Sequence, residues 1–356
     1  MPDVAAEAGV SLIPVSYSFS QPARVAERTR RRVLEAASRL GYAGPHPGAR
    51  SLRRGRTGTL GVVLGEHLTY AFTDPQATEF LAGIATVCVE HELGRTLIPV
   101  TGGPQDPARV REAAVDALLL WTTADDDPTL AVVAGLGLPA VVHGGPAVAG
   151  LGLVAVDARS AARAFGGAAF RDAATPAVLS FPVNRARQPA LLLGPDPAAA
   201  AYSVTRQRLQ GYADATRDLG LDWAQVPVVV LARNDTVEAE AAAVRLLRDF
   251  EPPVDAVAAM SDELAFGVLR AARHLGVAVP GRLAVTGWDD TAAGAPAGLT
   301  TIAQSLREQG ELCARSVIEP ETAAPPPPAW RLIERSSTAR CPGVQNRATD
   351  SRRPPR

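Results

Sequence analysis

The stretch that decides the fold of the N-terminal end is residues 2–42, PDVAAEAGVSLIPVSYSFSQPARVAERTRRRVLEAASRLGY. Residues 2–8 predict a short helix, and Gly9 follows at a position where helix ends favour left-handed backbone. Ser11 is a suitable N-cap for a second helix over about residues 12–20. A helix, a glycine-containing turn and a second helix together predict a helix-turn-helix.

A third predicted helix runs from about residue 26 to residue 40 and carries a strongly basic face. Residues 1–56 contain ten arginines and four acidic residues, a net charge of +6, whereas the rest of the chain carries −7. A basic end on an acidic body is typical of a protein that binds a polyanion at that end. A solvated basic helix would give the same charge, so charge alone leaves both interpretations open.

A set of residues recurs in a recognisable order and spacing over the first fifty positions. The set is Asp3-Val4-Ala5, Ala8-Gly9-Val10-Ser11, Val15-Ser16, Val25, Thr29-Arg30, Val33-Leu34, Ala37, Leu40-Gly41-Tyr42 and Ala49-Arg50-Ser51-Leu52. It closely resembles the DNA-binding headpiece of the lactose-repressor/galactose-repressor (LacI/GalR) family. In that family the second helix lies in the major groove, and a hinge segment folds on operator DNA and wedges a leucine into the minor groove.

The resemblance implies a role in DNA binding for individual residues. Tyr17 stands where most family members have arginine, so the preferred operator is expected to differ from the usual half-site. Apolar Leu12 and Ile13 suit thymine methyl groups. The implied set is Leu12, Ile13 and Tyr17 for bases, Ser11, Ser16, Thr29 and Arg30 for phosphates, and Ala49 and Leu52 for the hinge wedge.

From Thr59 onward the pattern changes to buried strands that alternate with helices. Two blocks of this alternation predict two doubly wound lobes with parallel sheets, and ligands of such folds bind outside the carboxyl ends of the strands. The expected strands are 60–64, 95–100, 117–121, 140–143, 190–193, 226–231, 254–259 and 283–286. The expected helices are 74–92, 106–113, 128–136, 202–219, 237–250 and 262–275.

The family resemblance extends over residues 3–338 and is most specific at residues 206–212 and 255–302. It implies that Arg208 and Asp289 bind the hydroxyl groups of a sugar or nucleoside, with Ser261 in place of the usual asparagine. An arginine fork and a carboxylate in one cleft suit a polyhydroxyl or anionic ligand. The expected effector-binding residues are Phe72, Arg208, Ser261, Trp288, Asp289 and Gln304, with Phe72 or Trp288 stacking on a ring.

Ordinary structural roles remain open for three of these residues. Arg208 could be a surface arginine of a helix, Asp289 a helix or turn cap, and Trp288 a core residue. Two segments, residues 70–75 and 174–188, depart from the pattern. Residues 70–75 are expected at the mouth of the cleft. Residues 174–188 form a long, irregular connection that we expect to shape or cover the pocket.

The fold class that follows is an all-α helix-turn-helix headpiece joined to an α/β core of two lobes, similar to periplasmic binding proteins. We expect the headpiece at 1–45, a hinge at 46–57, the core at 58–338 and a disordered tail at 339–356. Within the core, the first lobe is expected at about 58–157 and 289–320, and the second at about 158–288 and 329–338.

Several function classes are excluded or disfavoured. The GxGxxA match at residues 135–140 follows a helix and enters a strand, the reverse of a dinucleotide fingerprint. Neither a P-loop nor a GxSxG elbow is present. Three distant cysteines and five scattered histidines predict neither disulfides nor a metal site, and no cofactor is expected. The lack of a signal peptide or a long apolar run predicts a cytoplasmic, nucleoid-associated protein with no membrane partner.

The expected function is an allosteric transcriptional regulator, most simply a repressor, rather than an enzyme. A homodimer would place two headpieces on a pseudo-palindromic operator, and a small molecule between the lobes would change operator affinity. Two alternatives stay open at this point. One is a sugar-binding protein of the periplasmic type, and the other is a doubly wound metabolic enzyme with an accessory helical head.

Overall fold

The computed structural model describes residues 1–44, 55–319 and 327–339. The chain divides into two compact units, Met1–Thr59 with Ala114–Asp116, and Leu60–Ala113 with Ala117–Arg356. The first unit holds the N-terminal helices, and the second holds the alternating strands and helices. The predicted hinge positions Ala49 and Leu52, and the predicted tail from residue 340 onward, lie outside the described residues.

Three α-helices form the described part of the first unit: α1 (Pro2–Ala8), α2 (Leu12–Ser20) and α3 (Glu27–Arg39). Gly9 ends α1 in the left-handed conformation, with φ of 60°, as its position after the helix predicts. A short 3₁₀ turn at Pro22–Arg24 precedes α3. The helices share a small apolar core of Val4, Ala5, Ala8, Val15, Val33, Ala36 and Ala37. The predicted helix-turn-helix is confirmed.

The first lobe of the core is built on a sheet of five strands in the order β2-β1-β3-β4-β5. The pairs β1–β3, β3–β4 and β4–β5 are parallel, and β3 is buried along its whole length, as expected of a strand covered on both faces. The strands are β1 (Thr59–Leu64), β2 (Gly94–Pro99), β3 (Ala117–Trp121), β4 (Ala140–His143) and β5 (Gly152–Val154). The helices between them are α4 (Tyr70–Thr73), α5 (Pro75–Glu90), α6 (Asp106–Glu112) and α7 (Pro128–Gly135).

The second lobe has a sheet of five strands in the order β10-β9-β6-β8-β7. Its strands are β6 (Pro176–Ser180), β7 (Ala190–Leu193), β8 (Pro227–Val230), β9 (Ala256–Ala259) and β10 (Ala284–Thr286). Its helices are α8 (Ala158–Phe170), α9 (Ser203–Asp218), α10 (Thr236–Asp249) and α11 (Asp262–His274), with 3₁₀ turns at Pro197–Ala199 and Trp223–Gln225.

Two expectations for the second lobe were wrong. The segment 174–188, expected to be irregular, contains β6, which is fully buried between β8 and β9. The sheet is not parallel throughout, because β7 runs antiparallel to β8. Only residues 181–189 join β6 to β7, which is too short for a crossover helix. The chain therefore turns back, and β7 becomes the edge strand.

After β10 the chain returns to the first lobe. It forms β11 (Thr301–Ala303), α12 (Leu306–Ile318) and, further on, β12 (Arg331–Ile333), and β11 and β12 make a small antiparallel sheet. Helix α12 packs against α5 of the first lobe, whereas β12 contacts α8 of the second. None of the helices in the described part of the chain is long and apolar enough to cross a membrane.

Candidate nucleic-acid interface and small-molecule cavity

Helix α2 exposes large apolar side chains that the headpiece core does not use. Leu12 is 50% exposed and Ile13 is 63% exposed, whereas Val15 of the same helix is fully buried. Tyr17 lies one turn after Ile13 and is partly buried, with the Arg24 guanidinium 5.9 Å from its ring centroid. The three residues expected to contact bases therefore lie on one helix, accessible to a partner.

The residues expected to contact phosphates lie at the beginnings of α2 and α3. Ser11 is the exposed N-cap residue of α2, and its hydroxyl makes no capping hydrogen bond within that helix. Thr29 and Arg30 are partly exposed in the first turn of α3. Helix N-termini attract anions because their backbone N–H groups lack helical partners. Ser16 lies in the middle of α2, partly exposed, and its carbonyl accepts the Ser20 hydroxyl at 2.9 Å.

Two arginines of α3 have structural roles inside the headpiece. Arg32 Nη2 donates to the Ala8 carbonyl at 2.5 Å, and Arg39 Nε forms an ion pair with Glu7 Oε1 at 3.1 Å. Both contacts fasten α1 to α3. The Ala8 carbonyl lies at the end of α1, where carbonyls have no helical partner, so a cation is favourable there.

A cavity of the core lies between its two lobes, at the carboxyl ends of the strands. Its volume is about 1090 Å³ with the open mouth included. Glu66 follows β1, Thr122 follows β3, Asn234 follows β8 and Asp289 follows β10, and all four line it. This is the place where doubly wound folds bind ligands.

Arg208 lies in the second turn of α9 and forms one wall of the cavity. Its guanidinium stacks 3.8 Å from the centroid of the Trp288 ring and 5.3 Å from that of Phe181. Nη1 donates to the carbonyl of Met260, and this hydrogen bond holds the guanidinium in position. Burial lowers the pKa of the Arg208 guanidinium, but an arginine side chain stays protonated in proteins. The result is a buried, flat cation on an aromatic platform.

Asp289 follows β10 with a positive φ of 113°, a conformation that non-glycine residues rarely adopt. Its backbone N–H donates to the Ile302 carbonyl at 2.8 Å, and its Oδ1 accepts a hydrogen bond from Gln304 Nε2 at 2.8 Å. Burial raises the pKa of the Asp289 carboxyl well above its usual value, and the charge of Arg208 opposes that rise. Strain of this kind is common where a side chain is held for a ligand.

A directional chain of hydrogen bonds crosses the floor of the cavity from the first lobe to Asp289. His143 Nε2 donates to Gln309 Oε1 at 2.8 Å, since an amide oxygen can only accept. Gln309 Nε2 donates to Gln304 Oε1 at 3.4 Å, and Gln304 in turn donates to Asp289. Burial lowers the pKa of His143 to about 4, so the imidazole is neutral near pH 7.

Three buried side-chain atoms of the lining have no hydrogen-bond partner among the described residues: His143 Nδ1, Thr123 Oγ1 and Arg208 Nε. They are an acceptor, a hydroxyl and a donor respectively. A buried polar atom without a partner costs about 1–3 kcal/mol, so a ligand hydroxyl group that bonded to one of them would recover that cost. Thr123 and Gln309 could not be predicted from the sequence, but His143 ends a predicted strand, which is where doubly wound folds place site residues.

The structure brings Arg208, Asp289 and Gln304 together as predicted, but it corrects the places of the other three candidates. Phe72 is 68% exposed and is not in the cavity lining. Ser261 is the buried N-cap of α11, and its hydroxyl binds Leu264 N and Asn234 Oδ1. Trp288 is fully buried, packs on Phe165 and supports Arg208 from behind. Among the described residues no cluster of His, Cys, Asp and Glu could hold a metal ion.

Two family models match the chain. The model described as bacterial regulatory proteins, lacI family, matches residues 1–44, and a periplasmic binding protein-like domain matches residues 183–338. A curated relative, the HTH-type transcriptional regulator Rv3575c of Mycobacterium tuberculosis, is 33% identical over 331 residues, which is 91% of each chain.

Solved structures are also similar. A LacI family transcriptional regulator from Corynebacterium glutamicum has a TM-score of 0.73 at 28% identity, covering 95% of this chain and 98% of that one. The transcriptional regulator CelR, solved as a complex with cellobiose, has a TM-score of 0.65 at 25% identity, covering 94% of this chain and 98% of that one.

Proposed function

Because the chain belongs to the LacI family of DNA-binding transcriptional regulators, we propose that it is a repressor controlled by a small polyhydroxyl effector bound between its lobes. The effector is a sugar or a nucleoside, and it changes the affinity of the headpiece for operator DNA. The single observation that carries this proposal is the set of unpartnered polar atoms beside Arg208 and Asp289. No enzyme chemistry is required of this cavity.

A neutral polyhydroxyl ligand fits the chemistry of the cavity. The Arg208 fork offers an unused N–H, the carboxyl of Asp289 accepts or donates according to its protonation, and His143 Nδ1 accepts from a hydroxyl. The complex of the related regulator CelR with cellobiose supports a sugar as the class of ligand.

The proposed mode of DNA binding is a homodimer on a pseudo-palindromic operator, with the protein acting in the cytoplasm on the nucleoid. Leu12, Ile13 and Tyr17 of each α2 would contact bases in the major groove. Ser11, Ser16, Thr29 and Arg30 would contact phosphates, and Ala49 and Leu52 would supply the hinge wedge. The exposure of Leu12 and Ile13 supports this use, because the headpiece core gains nothing from them.

The test has two arms. Fluorescence anisotropy with random-sequence DNA at two salt concentrations measures phosphate-dependent binding, which weakens steeply as salt rises. A thermal-shift screen with sugars and nucleosides then identifies the effector, since a ligand of the native state raises its melting temperature. DNA binding that does not depend on salt, or a screen in which no sugar or nucleoside shifts the melting temperature, would contradict the respective half of the proposal.

A further inference from the structure

A partly buried ion pair crosses the cavity wall between the two lobes. Arg187, from the segment between β6 and β7, places Nη2 2.5 Å from Oε1 of Glu66 and 2.9 Å from the Gly65 carbonyl. The guanidinium also lies over the Tyr202 ring, 5.4 Å from its centroid. The side chains of Arg187 and Glu66 are only 22% and 15% exposed. The pair is therefore a fixed part of the wall rather than a surface contact.

A second, smaller cavity lies directly behind this pair. Its volume is about 410 Å³ with open solvent included, and it shares Glu66, Thr122, Arg187 and Tyr202 with the first cavity. The shared residues form the partition between the two spaces. Beyond the partition the lining is again polar and includes His67, Thr101, Asp127 and Arg185.

We propose that the Arg187–Glu66 pair is a specificity-determining wall, which limits the effector to one sugar ring and excludes a ligand with a second ring. The inference rests on the proposed function of the first cavity. A second ring that extended past this wall toward the polar lining of the second cavity would have to separate the two partly buried charges. Breaking an ion pair that is shielded from water leaves uncompensated charge, which is unfavourable.

The pair also joins the lobes, because Glu66 belongs to the first lobe and Arg187 to the second. A simple latch would change the affinity for every ligand by the same factor, whereas a wall changes the ratio between large and small ligands. The chain offers a matched control: Arg206 forms an ion pair with Asp125 across the lobes at 2.5 Å but lines neither cavity. The ratio of affinities therefore separates the two roles.

The test is calorimetric titration of the full chain with the matched pairs glucose with cellobiose, and galactose with lactose. The wild type is expected to bind a monosaccharide at least about 100-fold more tightly than the corresponding disaccharide. Arg187→Ala should reduce that ratio of affinities by about tenfold or more, which is the effect of losing one hydrogen bond to a charged group. Arg206→Ala should leave the ratio unchanged within about twofold.

Glu66→Gln keeps the shape of the wall but removes the charge of Glu66, so it should also reduce the ratio of monosaccharide to disaccharide affinity. This variant replaces Arg187→Ala in the test if Arg187→Ala folds poorly. Tight disaccharide binding by the wild type would overturn the proposal, and so would equal changes of the ratio in the Arg187 and Arg206 variants. If none of the four sugars binds, the single-ring wall is also overturned. The proposed function is then judged separately by the response to nucleosides and other polyhydroxyl compounds in the thermal-shift screen.

Discussion

Leu12 and Ile13 of the headpiece are at least half exposed, whereas Arg208 and Asp289 of the interlobe cavity are at most 9% exposed. The headpiece side chains protrude from a helix whose own core they do not touch. The cavity side chains are buried and bonded to distant parts of the chain: Arg208 donates to the Met260 carbonyl just after β9, and the Asp289 carboxyl accepts from the Gln304 side chain. A headpiece contact can therefore change without loss of the fold, but each cavity residue serves recognition and stability together.

The largest expected effect tests whether the two regions are separable. Val15→Asn places a polar amide in the small headpiece core, where Val15 is fully buried. An unsatisfied buried amide costs about 1–3 kcal/mol in addition to the lost packing, which is severe for so small a core. Operator binding, measured by anisotropy, should be lost, while the melting temperature of the core and its sugar affinity stay unchanged.

The matched control is Leu40→Asn at a position that is 48% exposed in the same unit. It should retain operator binding within about twofold, because surface substitutions usually change stability by less than about 0.5 kcal/mol. If Val15→Asn retained operator binding, the assignment of the headpiece as the DNA-binding unit would be wrong.

The next effect concerns the cavity. Arg208→Ala removes a buried cation from the wall and should raise the Kd for the effector about 10- to 100-fold, the value of a hydrogen bond to a charged group. Arg217→Ala is the control on the same helix, since its side chain is 75% exposed and it contacts Asp214. Calorimetric titration measures both variants. Equal Kd values for the Arg208 variant and the wild type would remove Arg208 from the site.

A pH effect tests the neutral state of His143. Burial lowers its pKa to about 4 in the folded chain, whereas the ordinary value is about 6.5. Between these values the unfolded chain binds a proton that the folded chain does not, so the free energy of unfolding falls as the pH drops from about 6.5 to about 4. At pH 4.5 the loss from this one group is about 2 kcal/mol.

Urea unfolding at pH 7 and pH 4.5 measures that loss in the wild type and in His143→Leu. The variant should lose less stability over the interval, because it has no imidazole to protonate in the unfolded state. The carboxyl groups titrate equally in both proteins, so the difference between the two losses of unfolding free energy isolates the contribution of His143. Equal losses in the wild type and the variant would show that His143 is not buried in its neutral form.

The smallest effect returns to the exposed region. Tyr17→Ala should change the preferred base at one or two operator positions by about 1 kcal/mol and leave the affinity for random DNA almost unchanged. Selection from a randomised half-site library measures the preference, with Ser20→Ala as a control on the same helix. An unaltered preference would exclude Tyr17 from base contact.

The headpiece and the interlobe cavity also differ in how much of their structure could be predicted from the sequence. The headpiece helices were predicted to within about one residue, since Gly9 and the apolar spacing act locally along the chain. The alternating strands and helices were also largely predicted. Helix α8 was missed because its buried face is mostly alanine and glycine, which gives little contrast along the sequence. The buried strand β6 is short and lies in a segment whose remainder is loop.

The cavity was predicted only where a family motif supplied its residues, as for Asp289 and Gln304 after strands and Arg208 on α9. Trp288 and Asp289 are adjacent in that motif, but Trp288 is fully buried and only Asp289 lines the cavity. The motif does not distinguish these two positions. The bond between His143 and Gln309 spans 166 positions of the chain, and nothing local announces such a pair.

We propose that a ligand in the cavity controls DNA binding by the headpiece of the same chain. The most direct test is a linkage measurement with full-length protein, operator DNA selected from a random pool, and the compound that gives the largest thermal shift. Saturating compound is expected to change the operator Kd by about 5- to 150-fold, and operator is expected to change the Kd of the compound by the same factor. An operator Kd that is the same with and without bound compound would contradict this proposal.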